Sequence, residues 1–414
     1  MWAVKLRQAA TPRGGGRQLY SFVVLTLFHG LVAFAALNLA AWIFLKGASP
    51  DPITLTYGDR AFALVYPGHS QADVRELLRE TWSRPITWEP FTEYRERRFQ
   101  GRFVNVHPAG FRVSRGRAAW PTEPGRLNVF VFGGSTTFGY GVADDETIVS
   151  GLQAFLDQRL GAGKAACYNF GRGSYYSTTE RILFENLLTE GDVPKVAVFV
   201  DGLNEFAFGA PFPAELLRKA VNRPVRGALA ELESELPVAQ LIARLKAGRM
   251  PRRSNAELAA SFDDPELLDS RIERYEANRR LIRAAASAWS VQPLFVWQPV
   301  PTYRYDLRYH LFGDLDFGIN NYSSFGYARM ALRLRSAPPE PDFVWAADMQ
   351  EGVREPLYVD QVHYTAAMST LVAERIGRAL LQDGILPLPA PPAVARAGLA
   401  GQRPHGALRS ARHG

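Results

Sequence analysis

The sequence is poor in the residues from which disulfides and metal sites are built. Cys167 is the single cysteine in 414 residues, so no intramolecular disulfide can form. This cysteine lies in a strand-like run, which indicates a buried and inert thiol. The seven histidines show none of the spacings that are typical of metal ligands. We therefore expect neither a metal site nor a bound cofactor.

A nucleic-acid-binding motif is also absent from the sequence, although the net charge is +7 and the pI is about 9.5. Much of the basic excess lies at the two ends of the chain, and the other arginines are scattered among acidic residues. This distribution favours membrane-flanking and tail segments over a groove for nucleic acid. The basic residues at the ends are Lys5, Arg7, Arg13, Arg17, Arg396, Arg403, Arg409 and Arg412.

One long run, residues 19–45, contains no charged side chain. As a helix it would span about 40 Å, which exceeds the ~30 Å hydrocarbon core of a bilayer. A cleavable signal peptide has a much shorter apolar region, so we expect this run to be retained as a transmembrane anchor. His29 and Asn38 within this run could mark a polar pathway or a helix partner. One helix cannot line a pathway alone, so we interpret them as tolerated or interfacial.

The basic residues before the apolar run indicate its orientation. By the positive-inside rule, residues 1–18 lie in the cytoplasm and everything after Lys46 lies outside. We therefore expect a single-pass protein of the inner (cytoplasmic) membrane whose main domain is periplasmic or otherwise extracytoplasmic.

Residues 46–124 form a preamble to the main domain rather than part of its sheet. Residues 71–82 have the pattern of a short amphipathic helix, and residues 88–110 are rich in aromatic side chains and arginine. Such a surface could bind glycan or phosphate groups. Packing of this segment across the main domain is the simpler interpretation, and we favour it.

Residues 125–385 show strand-like runs that alternate with helical patterns, which indicates a mostly parallel sheet with helices on both faces. The predicted strands are residues 128–132, 166–170, 196–200, 293–297 and 343–346. The interval 206–290 is too long for one crossover, so we predict a helical insertion at about 206–264 and a crossover helix at 265–288. The last helix is predicted at 365–382, and the composition of residues 386–414 predicts a disordered tail.

The first chemical signal is a serine at the end of a predicted strand. A buried-strand run stops at Gly133-Gly134, and Ser135 follows directly. In open α/β sheets, ligands bind beyond the carboxyl ends of the strands, which makes Ser135 a candidate nucleophile. A phosphate-binding P-loop would require a following Gly-Lys-Ser/Thr, and the sequence does not contain one here.

Later patches carry the other groups that acyl transfer requires. A serine hydroxyl needs an imidazole to take its proton, and the imidazole needs a carboxylate to fix its tautomer. His363 and Asp360 can supply both from one loop. Asp201, at the end of another buried strand, is a second candidate carboxylate, for which we favour a structural role.

A developing oxyanion requires preorganised hydrogen-bond donors. The candidates are the Ser135 N–H, a backbone N–H at Gly173 and the side-chain amide of Asn204. Each follows a predicted strand. Asn204 considered alone would also suit a helix N-cap.

This ordered set resembles the SGNH (GDSL-type) hydrolase family, in patches between Leu127 and Asp383. The family's first block, which carries the nucleophile, is similar to residues 133–139, Gly-Gly-Ser-Thr-Thr-Phe-Gly. Its third block, Gly-x-Asn-Asp, is similar to residues 202–205, Gly-Leu-Asn-Glu. Its last block, Asp-x-x-His, matches residues 360–363, Asp-Gln-Val-His.

Some positions depart from the family's pattern. Gly134 stands where an Asp usually precedes the nucleophile, and Glu205 replaces the Asp of the third block. The family's second block contributes a glycine N–H to the oxyanion hole. Gly171 or Gly173 lies in the matching turn, whereas strict spacing places Ser174 there.

The resemblance implies a three-layer α/β/α sandwich around a five-stranded parallel sheet of the flavodoxin-like type, preceded here by the transmembrane helix. It also implies Ser135 as nucleophile, His363 as base and Asp360 as the group that orients the imidazole. We expect a serine esterase or O-acyl transferase that acts outside the cytoplasm on acyl groups of cell-surface or exported polysaccharide. The alternative is a non-catalytic carbohydrate-binding or assembly component that keeps the fold.

An aromatic segment at residues 303–327 follows the fourth predicted strand and should overhang the site. Tyr303, Tyr305, Tyr309 and Phe312 are candidates for stacking on the sugar rings of a glycan substrate. An aromatic cap that only shields the core is an equal alternative.

Overall fold

The computed structural model describes residues 15–48, 64–116, 118–207, 236–239, 241–242, 261–313, 316–337 and 340–382. Most of the predicted insertion at 206–264 lies outside these residues. The predicted tail at 386–414 and residues 1–14 of the predicted cytoplasmic segment lie outside them as well.

The first helix, α1 (Gly15–Ala48), contains the uncharged run. Its Leu19–Phe44 segment is 26 residues long, has a mean hydropathy of 2.1, and is long and apolar enough to cross a membrane. The polar side chains within it bond to the preceding turn. His29 Nδ1 lies 2.6 Å from the Leu25 carbonyl, and Asn38 Nδ2 donates to the Phe34 carbonyl at 2.9 Å. These bonds satisfy polar groups that would find no hydrogen-bond partner in lipid.

The preamble forms a helix and two short antiparallel strand pairs. Helix α2 (Gln71–Ser83) begins where the Ser70 hydroxyl accepts the Asp73 N–H. It buries an apolar side formed by Val74, Leu77 and Leu78. Strands β1 (Ile86–Glu89) and β2 (Glu93–Glu96) pair with each other, and so do β3 (Phe99–Gln100) and β4 (Asn105–Val106).

Five strands of the described chain form one parallel sheet. They are β5 (Leu127–Gly133), β6 (Ala165–Asn169), β7 (Val196–Asp201), β8 (Gln292–Trp297) and β9 (Phe343–Trp345). The spatial order is β6-β5-β7-β8-β9, and each neighbouring pair is parallel. This is the flavodoxin-like strand order, so the predicted fold class is confirmed. The predicted strand ends differ from the observed ones by no more than one residue.

Helices follow the strands. They are α3 (Ser135–Phe138), α4 (Ile148–Leu160), α5 (Ser177–Glu190), α6 (Leu203–Ala207), α7 (Pro265–Ala288), α8 (Tyr322–Ser336) and α9 (Ala366–Gln382). Side chains of α5, α7 and α8 pack on one face of the sheet, and side chains of α4 and α9 pack on the other. The result is three layers with a separate core on each side of the sheet.

Strand alternation gives the two faces different side chains. Phe132, Phe199 and Phe295 lie side by side on one face, with neighbouring ring centroids 4.9 and 5.5 Å apart. Val131 and Val198 belong to the core on the opposite face. Because successive side chains of a strand point to opposite sides, each of these strands contributes to both cores. Both faces of the strands are therefore buried, and neither reaches solvent. Burying each phenylalanine contributes up to about 3 kcal/mol.

A buried arginine of the preamble holds the turn that follows Ser135. Arg112 donates to the carbonyls of Phe138 at 2.9 Å, Gly139 at 2.6 Å and Val142 at 2.7 Å. Its Nε also donates to Asp144 Oδ1 at 2.9 Å. The side chain is fully buried, so these groups depend on the guanidinium for their hydrogen bonds.

We expect Arg112→Met to lower the free energy of unfolding by at least ~3 kcal/mol, because it leaves buried acceptors unpaired. Arg97→Met, at an exposed position of the same preamble, should change it by less than about 0.5 kcal/mol. Denaturant titration of the protein in detergent measures both values. Equal stabilities for the two variants would contradict the role given to Arg112.

Candidate active site

The site lies at the carboxyl ends of β5 and β7, where the strand order reverses. The chain leaves β5 at Gly133 and turns into α3, whose first residue is Ser135. It leaves β7 at Asp201 and enters α6, which carries Asn204. Ligands of doubly wound sheets bind at such a switch point. Two of the three predicted oxyanion donors, on Ser135 and Asn204, therefore start from adjacent strands.

Ser135, His363 and Asp360 form a continuous hydrogen-bonded chain. Ser135 Oγ lies 2.8 Å from His363 Nε2, and His363 Nδ1 lies 2.6 Å from Asp360 Oδ2. An ionised carboxylate only accepts, so the imidazole proton is assigned to Nδ1. Nε2 is then free to accept the hydrogen of the serine hydroxyl. The structure thus brings the three predicted residues together in the order that nucleophilic catalysis requires.

Asp360 is ionised within this arrangement. Burial by itself would raise its pKa, but His363 and several hydrogen bonds outweigh that effect and lower the pKa below its ordinary value. The bonds come from His363 Nδ1 and from the N–H groups of Val362 and His363, at 2.9 and 2.8 Å. A charged Asp360 can therefore stabilise the imidazolium that forms when His363 takes a proton.

Gln298, which follows β8, connects the serine turn to the histidine loop. Its Oε1 accepts the Thr136 hydroxyl at 2.7 Å and the Tyr364 hydroxyl at 3.0 Å. These donors are the neighbours of Ser135 and His363 in sequence. The sequence contained a signal for this residue, a polar side chain directly after a predicted strand, but it did not identify the role.

Asn204 packs against the turn that carries the nucleophile. Its Nδ2 donates to the Tyr175 carbonyl at 2.7 Å, which orients the amide and leaves its second N–H for another acceptor. A Cβ at position 134 would lie 2.3 Å from the same Nδ2. A side chain at position 134 would therefore require Asn204 or the turn to shift.

The hydrogen bonds of the turn after β6 narrow the choice of the backbone N–H that the family's second block contributes to the oxyanion hole. The Gly171 N–H donates to Asn169 Oδ1 at 3.0 Å, so it is already engaged. Arg172 and Tyr175 also use their N–H groups, toward the carbonyls of Gly133 and Arg172. In the described chain, the N–H groups of Gly173 and Ser174 make no such backbone bond. The oxyanion role of Gly173 stays a prediction.

The β1–β2 hairpin of the preamble packs against this turn. Arg172, whose guanidinium is buried, donates from Nη1 to Glu89 Oε2 at 2.5 Å and to the Tyr175 hydroxyl at 2.8 Å. The Tyr94 hydroxyl donates to the Gly173 carbonyl. These contacts, at Arg172 and at the Gly173 carbonyl, hold the turn that carries the Gly173 N–H.

Two rings that the sequence did not single out border His363. Tyr140 stacks on the imidazole, with centroids 5.1 Å apart and planes 20° apart. Trp82, the penultimate residue of α2, meets it edge-on at 6.2 Å. Trp82 and Tyr140 are perpendicular to each other, with centroids 5.2 Å apart. Sequence spacing could not identify this contact, because it depends on how the preamble packs.

The four aromatic residues predicted to stack on sugar lie in varied surroundings. Phe312 is buried in the core of the preamble. Tyr303 packs beside Tyr327 and Trp345, and the Tyr305 hydroxyl donates to the Glu355 carbonyl. Tyr309 is half-buried. Within the described ranges, no hydrogen bond or ring contact joins these four to Ser135 or His363. Their substrate-binding role stays a prediction.

The pKa of Asp201 is shifted in the direction opposite to that of Asp360. Asp201 is buried, and burial together with the charge of Glu205 raises its pKa well above the ordinary value. A protonated carboxyl cannot stabilise an imidazolium by its charge, and the imidazole pairs with Asp360 instead. A structural role for Asp201 agrees with this environment.

Comparison with known proteins gives similarities at the level of structure. The solved structures to which this chain is similar include an acetyl xylan esterase, AlAXEase, with 13% identity and a TM-score of 0.34, covering 62% of this chain and 100% of that one. The lipase Lip_vut3 from a goat rumen metagenome has 12% identity and a TM-score of 0.35, covering 61% and 97%. A member of the lipolytic G-D-S-L family from Veillonella parvula has 12% identity and a TM-score of 0.31, covering 60% and 94%.

These structural neighbours are an esterase, a lipase and a member of the lipolytic G-D-S-L family. No protein-family model and no curated protein matches the sequence. Identities and TM-scores this low cannot decide activity, which has to be argued from the geometry around Ser135.

We expect Asn204→Ala to lower turnover by ~10²-fold or more, because it removes one donor to the oxyanion. Asn128→Ala is the matched control. Asn128 also donates from Nδ2 to a carbonyl, that of Glu123 at 3.1 Å, but it lies in β5 near its amino end. Both variants lose a similar hydrogen bond, worth about 1 kcal/mol of stability. Steady-state kinetics and thermal melts separate the effects, and a purely structural Asn204 would show a lower Tm with normal turnover.

Proposed function

We propose that this protein is a membrane-anchored serine ester hydrolase or O-acyl transferase of SGNH type. It acts outside the cytoplasm on acyl groups of cell-surface or exported polysaccharide. The observation that carries the chemistry is the chain of hydrogen bonds from Ser135 Oγ to His363 at 2.8 Å and from His363 to Asp360 at 2.6 Å.

In the first half-reaction, Ser135 Oγ attacks the ester carbonyl carbon and its proton passes to His363 Nε2. Negative charge develops on the carbonyl oxygen, which faces the Ser135 N–H, the Gly173 N–H and Asn204 Nδ2. The bond between the acyl carbon and the alcohol oxygen then breaks. His363 returns its proton to that oxygen, and the alcohol leaves while the acyl group stays on Ser135.

In the second half-reaction, an incoming hydroxyl takes the place of the alcohol. His363 removes the proton of this hydroxyl as its oxygen attacks the acyl carbon. The bond between the acyl carbon and Ser135 Oγ then breaks, and His363 returns the proton to Oγ. Water as acceptor gives hydrolysis, whereas a hydroxyl of a second sugar gives acyl transfer. The residues around Ser135 serve both reactions equally, so the acceptor decides between esterase and transferase.

A fluorophosphonate probe tests the nucleophile directly. Wild-type protein in detergent should be labelled at Ser135, and Ser135→Ala should abolish labelling and esterase activity. His363→Ala should slow labelling by ~10³-fold or more, and the double variant should be scarcely worse, because the residues act as a unit.

Ser336→Ala, at an exposed serine at the end of α8, serves as the control and should label at the wild-type rate. Folded wild-type protein that neither labels nor hydrolyses short-chain esters would overturn the enzymatic proposal. A non-catalytic carbohydrate-binding component would then be the better account, with glycan affinity as its measurable property.

The proposed location rests on α1. None of the side chains in its most apolar window is buried against the rest of the chain, which suits a helix surrounded by lipid. The basic residues Lys5, Arg7, Arg13 and Arg17 precede it, which favours a cytoplasmic amino terminus.

We expect the full chain, expressed in a bacterial host, to remain in the membrane fraction. Protease added to intact spheroplasts should digest the part after Lys46, and a cytoplasmic marker protein should stay intact as the control. Protection of that part would reverse the orientation. A soluble product that begins within residues 19–45 would show that the segment is a cleaved signal peptide.

A further inference from the structure

We propose that Trp82 and Tyr140 form the binding subsite for the alcohol part of the ester, and that this alcohol is a sugar ring. The inference rests on the proposed function and adds the residues that would hold the sugar. It assigns specificity to the preamble, outside the sheet that carries the nucleophile.

The position of His363 determines which part of the substrate the two rings face. His363 Nε2 returns the proton to the alcohol oxygen, so that oxygen must come within hydrogen-bond distance of the imidazole. The carbonyl oxygen faces Asn204 instead. Trp82 and Tyr140 both lie beside the imidazole, with centroids 6.2 and 5.1 Å from it. The proposed subsite therefore lies beside the group that protonates the departing oxygen.

The two rings form an aromatic corner in which Trp82 supplies the exposed surface, because Tyr140 already contacts the imidazole and the Arg84 guanidinium. Trp82 is 46% exposed although it lies next to a buried histidine, and Tyr140 is half-buried. Their planes are perpendicular. A pyranose has a flat C–H face that packs on an aromatic ring, while its hydroxyls stay in contact with water. An open corner beside polar catalytic groups suits this mixed surface better than it suits an alkyl chain, which needs enclosure.

The corner is rigid before any ligand binds. Glu80, buried in α2, accepts the N–H groups of Arg102, Phe103 and Val104 at 2.8 to 2.9 Å. Arg84, just beyond the helix, pairs through two nitrogens with the buried Glu96 at 2.8 Å. These bonds fix the chain on both sides of Trp82.

Arg84 also supports the second ring. Its guanidinium lies 4.4 Å from the Tyr140 centroid and 4.0 Å from that of Phe138. Binding therefore orders few side chains, and such preorganisation favours affinity.

The test compares Trp82→Ala and Trp82→Phe with Trp289→Ala, using the full chain in detergent. Trp289 is a matched control, because it is 43% exposed and precedes β8 at the opposite end of the sheet. The substrates are an O-acetylated methyl pyranoside, ethyl acetate and ethyl butyrate. The rate of fluorophosphonate labelling at Ser135 reports separately on the triad, since fluoride replaces the alcohol.

We expect Trp82→Ala to lower kcat/KM for the sugar ester by about 10-fold or more, as lost aromatic stacking predicts. Trp82→Phe should retain most of it. Ethyl acetate, ethyl butyrate and the labelling rate should change by less than about 2-fold. The acetylated pyranoside should also slow labelling of the wild type, and Trp82→Ala should remove this protection.

Three results would overturn the inference. The first is equal loss on the sugar ester and ethyl acetate, which would place the effect on the triad. The second is a selective loss on ethyl butyrate, which would make the corner an acyl-chain site. The third is failure of the acetylated pyranoside to protect a wild-type protein that labels normally. Absence of labelling in the wild type would instead overturn the proposed function itself.

Discussion

The parallel pairing of β5 with β7 is the constraint on which the site depends. Their register sets Gly133 opposite Val200, so the chain leaves both strands at the same edge of the sheet. The two turns are close enough that a Cβ at position 134 would meet Asn204 Nδ2 at 2.3 Å. Strand pairing therefore fixes the serine turn and the amide relative to each other, and this rigidity is what preorganised catalysis requires.

His363, the proposed base, is held at the site by a different kind of contact. Ser135 and His363 are separated by 228 positions, and no strand pair joins their segments directly. Gln298 makes the link, because its buried carbonyl oxygen accepts hydroxyls from the residues that neighbour each of them. Buried hydrogen bonds of this kind are strong in a low dielectric and costly to break. The distance between nucleophile and base therefore depends on the end of β8 as well.

The preamble acts on the same site from outside the sheet. Arg112 binds the turn after the nucleophile, Glu89 pairs with Arg172 below the second-block turn, and Trp82 borders the histidine. Each contact involves a charged or aromatic side chain that sequence periodicity alone would assign to a surface. A segment that precedes the sheet thus contacts the turn after β6 and borders His363.

By itself the sequence determined the sheet and named the residues that the structure brings together at its edge. Buried strands that end in glycine are local signals in the sequence. The Ser135 motif, which follows a strand end, and the His363 motif, which precedes the last helix, are local signals as well. Only the tertiary structure decided that position 134 lies against Asn204, where a Cβ would be 2.3 Å from Nδ2. It also decided that Trp82 and Tyr140 border His363. Periodicity reports which face of an element is buried, whereas these contacts depend on how distant segments pack.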